Sequence, residues 1–203
     1  MIVLPTAYFG PISHFALISH EKEYFIEKHE TFCKQTYRNR CEISGPNGML
    51  KLVVPVCKWH HRTTTADIKI SYEEDWQSRH WKSICSAYLS SPYFEFYEEE
   101  VYPLFQLNEE FLIDYNLRCE RKLKALLDLT ATDKYTTDYK IIAKDYRQLI
   151  CPKRSVEIFL VEPKPYIQVF SNKFNFQPNL SILDLLFNLG PNSKHYLQNL
   201  SLR

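Results

Sequence analysis

The sequence predicts a mixed α/β fold, and three observations lead to this prediction. Short apolar runs near the start alternate with a turn and a helical segment, and apolar residues in the middle recur at helical spacing. The last part combines strand-like runs with two helices. We therefore expect an N-terminal sheet with short crossover helices, a central helical segment, late strands and two closing helices. The 203 residues suit a single domain, with a sheet-rich part (1–75), a helical part (76–128) and a last part (129–203).

The first elements follow the order strand, loop, helix, strand. A short buried strand at Ile2 to Leu4 leads into the turn Pro5 to Pro11, which two prolines and a glycine punctuate. A short helix is predicted at Ile12 to Ile18, with Pro11 suited to its first turn, and a second strand is predicted at Glu23 to Glu27. This order opens an α/β sheet, in which ligands bind beyond the carboxyl ends of the strands.

A hairpin and one further strand complete the sheet-rich part. The tight-turn dipeptide Asn47-Gly48 lies between the apolar runs Cys41 to Ile43 and Leu50 to Val56, which predicts a β-hairpin. The run Asp67 to Ser71 alternates polar and apolar residues, as a half-buried strand does.

From about residue 76 the apolar residues recur at the three- and four-residue spacing of a helix. The apolar face of the first central helix consists of Trp81, Ile84, Cys85, Tyr88 and Leu89. We expect Asp75 to cap this helix and Pro92 to end it. A second helix runs through Phe94 and Val101, and a third is predicted to begin at Asn108, with acidic residues in its first turn and basic residues later.

In the last part, residues 130–137 are polar and predict a loop. Late strands are predicted at Val156 to Val161 and at Tyr166 to Phe170. Ser181 begins the closing pair of helices, with Asp184 three residues later in a variant of the capping box. A glycine followed by a proline ends the first of these helices.

The composition excludes several functional classes. The formal net charge of +1 gives no global field for nucleic acid or an anionic membrane, so we expect neither as a partner. Four glycines are too few for a phosphate-binding loop or a dinucleotide fingerprint. We expect no signal peptide, because the first residues have neither a basic region nor a long apolar stretch, and we expect no membrane span, because no apolar run of about 18 residues occurs. Six cysteines without CxxC spacing are expected to be reduced thiols, which suits a cytoplasmic protein.

One cluster of basic residues is a candidate anion site. It consists of Lys34, Arg38, Asn39 and Arg40. Guanidinium groups bind phosphate or carboxylate through two parallel hydrogen bonds, and in a strand Arg38 and Arg40 would share a face. The alternative is an edge strand whose charges prevent pairing with another sheet. Arg147 and Lys153 form a second basic group, and the sequence does not tell whether it joins the first.

Two histidines are candidate catalytic residues. His14 follows Phe9-Gly10-Pro11 in a turn that loosely resembles the phosphate-binding turn of nucleotidylyltransferases, although the spacing differs by one and the second histidine is missing. The alternative is a packed histidine. His80 has an imidazole suited to acid–base catalysis, but it lies opposite the proposed apolar helix face, which also fits a surface residue. Trp76 is a candidate for stacking on a sugar or base, or for packing.

A metal site is not predicted. Cys57, His60 and His61 contain the side chains that bind zinc, but the sequence has no second pair of ligands at suitable spacing. The sequence points to no particular cofactor either.

The motifs at both ends of the chain together resemble the WbqC-like family. They are Pro5 and Tyr8-Phe9-Gly10-Pro11, Arg38-Asn39-Arg40, Leu52-Val53-Val54-Pro55, Trp76 with His80, Ser91-Pro92-Tyr93-Phe94, and Leu180 to Asn188. The chain is similar to a branch found in Bacteroidetes-type bacteria. The aspartate pair that often follows the second strand in the family corresponds to Glu27 to Glu30, and Tyr8 is a further candidate substrate contact.

The resemblance implies a role in cell-envelope polysaccharide or O-antigen biosynthesis. The first hypothesis is a group-transfer enzyme, a transferase that acts on a small phosphate-bearing or sugar ligand. The second is a non-catalytic binding or assembly protein. The third is a nucleotidyltransferase-like enzyme that uses the turn from Phe9 to His14. The sequence alone leaves the reaction, the substrate and the oligomeric state open.

Overall fold

Two sheets and a set of helices make up the computed structural model, which describes residues 2–139, 144–152 and 163–202. The strands are β1 (Val3–Pro5), β2 (Glu23–Glu27), β3 (Arg40–Gly45), β4 (Gly48–Val53) and β5 (Thr132–Tyr135). The helices are α1 (Ile12–Ser19), α2 (Trp76–Tyr88), α3 (Phe94–Val101), α4 (Leu112–Leu126), α5 (Ser171–Phe174), α6 (Ile182–Leu189) and α7 (Ser193–Gln198). This arrangement confirms the predicted mixed α/β class.

The first sheet is parallel, with the strand order β1, β2, β5. Val3 pairs with Phe25, and Phe25 pairs in turn with Lys134. All three strands point the same way, so their carboxyl ends lie at one edge of the sheet. Helix α1 connects β1 to β2, whereas the chain passes through the second sheet and helices α2 to α4 before it returns as β5.

The second sheet is the predicted hairpin. Strands β3 and β4 pair antiparallel, and Gly45 opposes Gly48 across the turn. Gly48 has a φ of 107°, which a residue with a side chain rarely adopts. The Asn47-Gly48 dipeptide therefore marked the turn correctly.

The predicted strand at Asp67 to Ser71 is wrong. A single turn of 3-10 helix covers Thr65–Asp67, and the following residues form only isolated bridges, Val56 with Ile70 and Lys69 with Phe111. The alternation of buried and exposed residues is real, because Ile68 and Ile70 are buried. Alternation reports which side chains face the core, but it does not require a partner strand alongside.

Helix α2 begins at the predicted cap but buries a different face. The carboxylate of Asp75 accepts a hydrogen bond from the amide of Ser78. The buried residues are Trp76, His80, Ile84, Ala87 and Tyr88. Leu89, which was predicted to be buried, is 67% exposed. His80 lies on the core face because Tyr8 supplies the hydrogen bond that its imidazole needs.

The next two helices were predicted with unequal success. Helix α3 has the predicted position, from Phe94 to Val101. Helix α4 begins later than predicted, with Phe111 rather than Asn108 at its N-cap and without a side-chain cap. Phe111 is extended and bridges to Lys69, and this pairing delays the start of the helix.

The late strands differ from the prediction. Residues 132–135, predicted to be a loop, form β5, whose polar sequence suits a strand at an exposed sheet edge. The predicted strand at Tyr166 to Phe170 has no strand structure. The side chains of Tyr166 and Gln168 are held by hydrogen bonds to Asp184 instead. The predicted strand at Val156 to Val161 lies outside the described residues.

The closing helices α6 and α7 are confirmed. The hydroxyl of Ser181 caps α6 by accepting a hydrogen bond from the amide of Leu183, and it also donates one to the carbonyl of Phe9. The amide of Ile182 donates to the carbonyl of Gly10. The start of α6 therefore holds the turn between β1 and α1. Within the described residues, no helix combines the length and the apolar character that spanning a membrane requires.

Candidate functional site

Charged side chains converge beyond the carboxyl ends of the parallel strands. Glu27 ends β2 and is fully buried. Its Oε1 atom accepts hydrogen bonds from the hydroxyl of Thr136, just after β5, at 3.0 Å and from the amide of His29 at 2.6 Å. Its Oε2 atom lies 3.3 Å from a guanidinium nitrogen of Arg147. Open α/β sheets bind ligands at this edge.

Arg38 reaches the same edge through Glu30. The Nε atom of Arg38 donates to Glu30 Oε1 at 2.7 Å, and its Nη2 atom lies 2.6 Å from the same oxygen. Both side chains are nearly buried. Burial raises the pKa of Glu30 more than Arg38 lowers it, and the nearby charge of Glu27 raises it further.

Arg147 completes the group from the other side of β1. The segment that contains it runs parallel to β1, with a bridge between Val3 and Asp145. The guanidinium of Arg147 binds both carboxylate oxygens of Asp145 and lies 4.7 Å from the ring centroid of Tyr139. Burial by itself would raise the pKa of Asp145, but hydrogen bonds from Arg147 make the net shift downward.

We call these five residues the edge cluster. They are Glu27, Glu30, Arg38, Asp145 and Arg147. Three carboxylates face two guanidinium groups, so the cluster has nearly balanced charge when all are ionised. Guanidinium groups bind phosphate bidentately, and a carboxyl group with a raised pKa is suited to proton transfer near neutral pH. The cluster therefore combines the groups that bind an anion with a group that can accept a proton.

The side chains of the predicted basic cluster, Lys34, Arg38, Asn39 and Arg40, do not come together in the structure. Of its members, only Arg38 lies in the edge cluster, and Arg38 and Asn39 precede β3 rather than sharing a strand with Arg40. The side-chain amide of Asn39 donates a hydrogen bond to the main-chain carbonyl of Val54. Arg40 faces Glu42, with 3.8 Å between the charged atoms, and Lys34 is exposed. Arg147, whose relation to Arg38 the sequence left open, joins it, whereas Lys153 lies outside the described residues.

Three other candidate residues meet inside the core. The hydroxyl of Tyr8 is hydrogen-bonded to Nδ1 of His80, and Trp76 packs against both rings. All three side chains are buried. Burial, with the nearby charge of Arg79, lowers the pKa of His80 to about 4. The imidazole is therefore neutral at neutral pH.

His14 belongs to a separate buried network. Its Nε2 atom lies 2.8 Å from Glu120, which also accepts a 2.5 Å hydrogen bond from the hydroxyl of Tyr24. Lys124 donates to the same hydroxyl and to Asp133. The network joins α1, β2, α4 and β5, and no local sequence pattern predicted it as a whole, because hydrogen-bonded partners such as His14 and Glu120 are 106 positions apart.

The residues that sequence reasoning missed are Asp145 and Thr136. Both lie in polar stretches without a motif, and only the strand pairing brings them to the edge. Glu27 and Glu30 had a signal, since the resemblance to the family had matched them to an aspartate pair that often follows the second strand. Within residues 2–139, 144–152 and 163–202, no three or more His, Cys, Asp or Glu side chains are arranged so that they could hold a metal ion.

A cavity of about 840 Å³ lies at the opposite, amino edge of the parallel sheet. Its lining includes Ile2, Leu17, His20, Glu21 and Lys144. This volume lies within the usual range of small-molecule sites. However, it brings together no group of buried ionisable side chains, so we place the candidate site at the edge cluster.

The parallel sheet and the edge cluster define an α/β protein with an ionisable site at the carboxyl ends of its strands. The profile of the WbqC-like protein family matches residues 6–159, and the chain belongs to this family. An uncharacterised protein of Mycobacterium tuberculosis is 23% identical over 216 residues, which cover 91% of each chain. No solved structure matches this chain.

Proposed function

We propose that this protein is a group-transfer enzyme of cell-envelope polysaccharide or nucleotide-sugar metabolism, which binds a phosphate-bearing substrate at the edge cluster. One observation carries the proposal. Arg38 and Arg147 converge with Glu27 and Glu30 beyond the carboxyl ends of β1, β2 and β5. Buried, paired charges are costly to maintain, and replacing them with apolar residues often leaves a protein equally stable. A ligand-binding role is a reason to keep them.

The chemistry follows from the pairing of Arg38 with Glu30. A phosphate that binds Arg38 competes with the Glu30 carboxylate and releases it from its ion pair. The released carboxylate has a higher pKa, which makes it a stronger base. It accepts the proton of an acceptor hydroxyl while that oxygen forms the new bond. The bond to the leaving phosphate breaks, and the guanidinium groups stabilise the negative charge that the phosphate takes up.

A non-catalytic binding or assembly protein is the second candidate. The observation that favours it is the exposed apolar surface of the hairpin. Met49, Leu50 and Val53 are between 39% and 51% exposed on β4. The nucleotidyltransferase hypothesis has less support, because it needs a free imidazole and His14 is bonded to Glu120 in the core.

A thermal-shift experiment tests the proposal. Nucleotide-sugars, nucleoside diphosphates and pyrophosphate are added to the wild-type protein and to Arg38→Lys. A ligand of the folded state raises the melting temperature, and a lysine cannot reproduce the bidentate contact, so we expect roughly tenfold weaker binding in this variant. Arg121→Lys is the matched control, because Arg121 makes a two-nitrogen contact to a carboxylate, Asp133, away from the edge cluster. Equal ligand shifts in both variants would contradict the proposal, and no shift with any phosphate compound would favour the assembly protein.

A further inference from the structure

The loops before and after the hairpin carry exposed basic residues and few acidic ones. Between Glu30 and Asp67 the sequence has one acidic residue, Glu42, and six lysines and arginines. We call one set of exposed residues from the loops on either side of the hairpin the basic loop surface. It consists of Lys34, Lys58, Trp59, His60, His61 and Arg62.

The cations of this surface have no acidic partner. Lys34, Lys58 and Arg62 form no ion pair within the part of the chain that the structure describes. Many other surface cations of the protein are paired, although Lys51, Lys82 and Lys164 are exposed and form no ion pair with a described residue either. The pairs include Lys69 with Glu110, Arg79 with Glu74, Arg118 with Glu109, Lys134 with Glu23 and Lys194 with Asp128. The absence of a carboxylate leaves the basic loop surface available for an anion.

Trp59 provides an aromatic face in the same loop. Its side chain is 38% exposed, and its inner part contacts Phe32, with 5.4 Å between the ring centroids and an interplanar angle of 89°. An exposed tryptophan costs hydrophobic free energy unless something covers it. Cations beside an exposed indole are the combination that binds nucleotides, since every base stacks on an aromatic ring.

The loop is fixed relative to the edge cluster by main-chain hydrogen bonds. The amide of Phe32 donates to the carbonyl of Thr63 at 3.0 Å, and the amide of Thr65 donates to the carbonyl of Glu30 at 2.9 Å. The loop is also closed on itself, because the amide of His60 donates to the hydroxyl of Thr63. The same segment therefore carries Glu30 of the edge cluster and supports Trp59.

We propose that the basic loop surface binds the nucleoside diphosphate part of the substrate, with the base on Trp59 and the phosphate next to the nucleoside on Lys58 and Arg62, while the leaving phosphate binds Arg38 in the edge cluster. This inference rests on the proposed function, since it names the donor as a nucleotide-linked group. A small ligand fits better than single-stranded nucleic acid, because the whole chain has a net charge of only +1. The edge cluster then acts on the group that is transferred.

The test is calorimetric titration of the full chain with UDP, ADP, CDP and GDP, with pyrophosphate and with a single-stranded oligonucleotide. At least one nucleoside diphosphate is expected to bind more tightly than pyrophosphate. Trp59→Ala should weaken this binding about five- to a hundredfold, as loss of a stacked base does, and leave pyrophosphate unaffected. Trp59→Phe should restore most of the affinity, which separates stacking from damage to the fold. Exchanging Lys58 and Arg62 for glutamine should weaken the binding of both the nucleoside diphosphate and pyrophosphate. Arg118→Gln, at an exposed and paired arginine, should leave both affinities unchanged.

Three results would overturn the inference. They are no binding of any nucleoside diphosphate, equal affinity of Trp59→Ala and the wild type, and tighter binding of longer oligonucleotides, which would indicate nucleic acid. The experiment also separates the two proposals. If Arg38→Lys loses nucleotide binding and Trp59→Ala keeps it, the loop inference fails and the proposed function stands. If Trp59→Ala loses binding and Arg38→Lys binds and turns over nucleotide-sugars like the wild type, the loop inference stands and the role of the edge cluster fails.

Discussion

The hydroxyl oxygen of Tyr8 lies 2.8 Å from Nδ1 of His80, although 72 positions separate the two residues in the sequence. This hydrogen bond allows an imidazole to occupy the core face of α2 beside Trp76. A buried imidazole avoids the positive charge, and this lowers the pKa of His80 from its ordinary 6.5 to about 4. The stability of the protein should therefore depend on pH.

We expect the free energy of unfolding to rise with pH between about 4 and 6.5, the folded and ordinary pKa values of His80. In this window the unfolded chain binds a proton at this position and the folded chain does not, so acid favours unfolding. The difference in pKa corresponds to a loss on the order of 3 kcal/mol at the acid end. Urea unfolding at several pH values should show a flatter profile for His80→Gln than for the wild type. His20→Gln, at an exposed histidine, is the control, and parallel profiles for His80→Gln and the wild type would refute the prediction.

The ion pair of Arg38 with Glu30 should be strongly coupled. Removing one partner leaves the other buried and uncompensated, so Arg38→Gln and Glu30→Gln should each destabilise by about 3–5 kcal/mol. The double variant should lose much less than the sum, because neither charge remains. Chemical denaturation of the four proteins measures the coupling. The exposed pair of Arg79 with Glu74 provides a second cycle, for which we expect a far smaller coupling. Additive losses at Arg38 and Glu30 would show that the pair is not a unit.

Helix α6 should be sensitive to truncation on every side. Leu183, Leu185, Leu186 and Phe187 are all completely buried. Leu186→Ala should therefore reduce the free energy of unfolding by about 2–5 kcal/mol, since it removes buried methyl groups and leaves a cavity. Leu89→Ala, at a leucine that is 67% exposed, should change it by less than about 0.5 kcal/mol. Similar melting temperatures for the two variants would contradict the burial of α6.

Two glycines with positive φ angles allow a clash to be separated from backbone strain. A Cβ atom at Gly190 would lie 2.5 Å from the ring of Tyr93, whereas one at Gly48 would have no neighbour within 4 Å. Both residues have a left-handed φ, 53° and 107°. We expect Gly190→Ala to destabilise more than Gly48→Ala, because only the first must displace an aromatic ring. Thermal unfolding of both variants measures the difference, and equal losses would mean that the Tyr93 ring moves aside freely.

Several elements were predictable because the local sequence contains the physical cause. The Asn47-Gly48 turn needs a residue that tolerates positive φ, and α6 needs a cap at Ser181 and a glycine at its end. The strand β5 was missed for the opposite reason. It is polar and lies at the exposed edge of a sheet, and its pairing with Tyr24 and Phe25 supplies the hydrogen bonds that its own sequence does not suggest.

The sequence by itself determined the mixed α/β class, the first strand and helix, the hairpin and the closing helices, because periodicity, caps and turn residues act over a few positions. It also singled out Arg38 and the place of Glu27 and Glu30. Only the tertiary structure decided that Arg147 and Asp145 belong to the edge cluster and that Asn39 and Arg40 lie outside it. It also decided that His80 faces the core. These outcomes depend on strand pairing and on hydrogen bonds between residues far apart in the chain, and a local pattern contains no information about such partners.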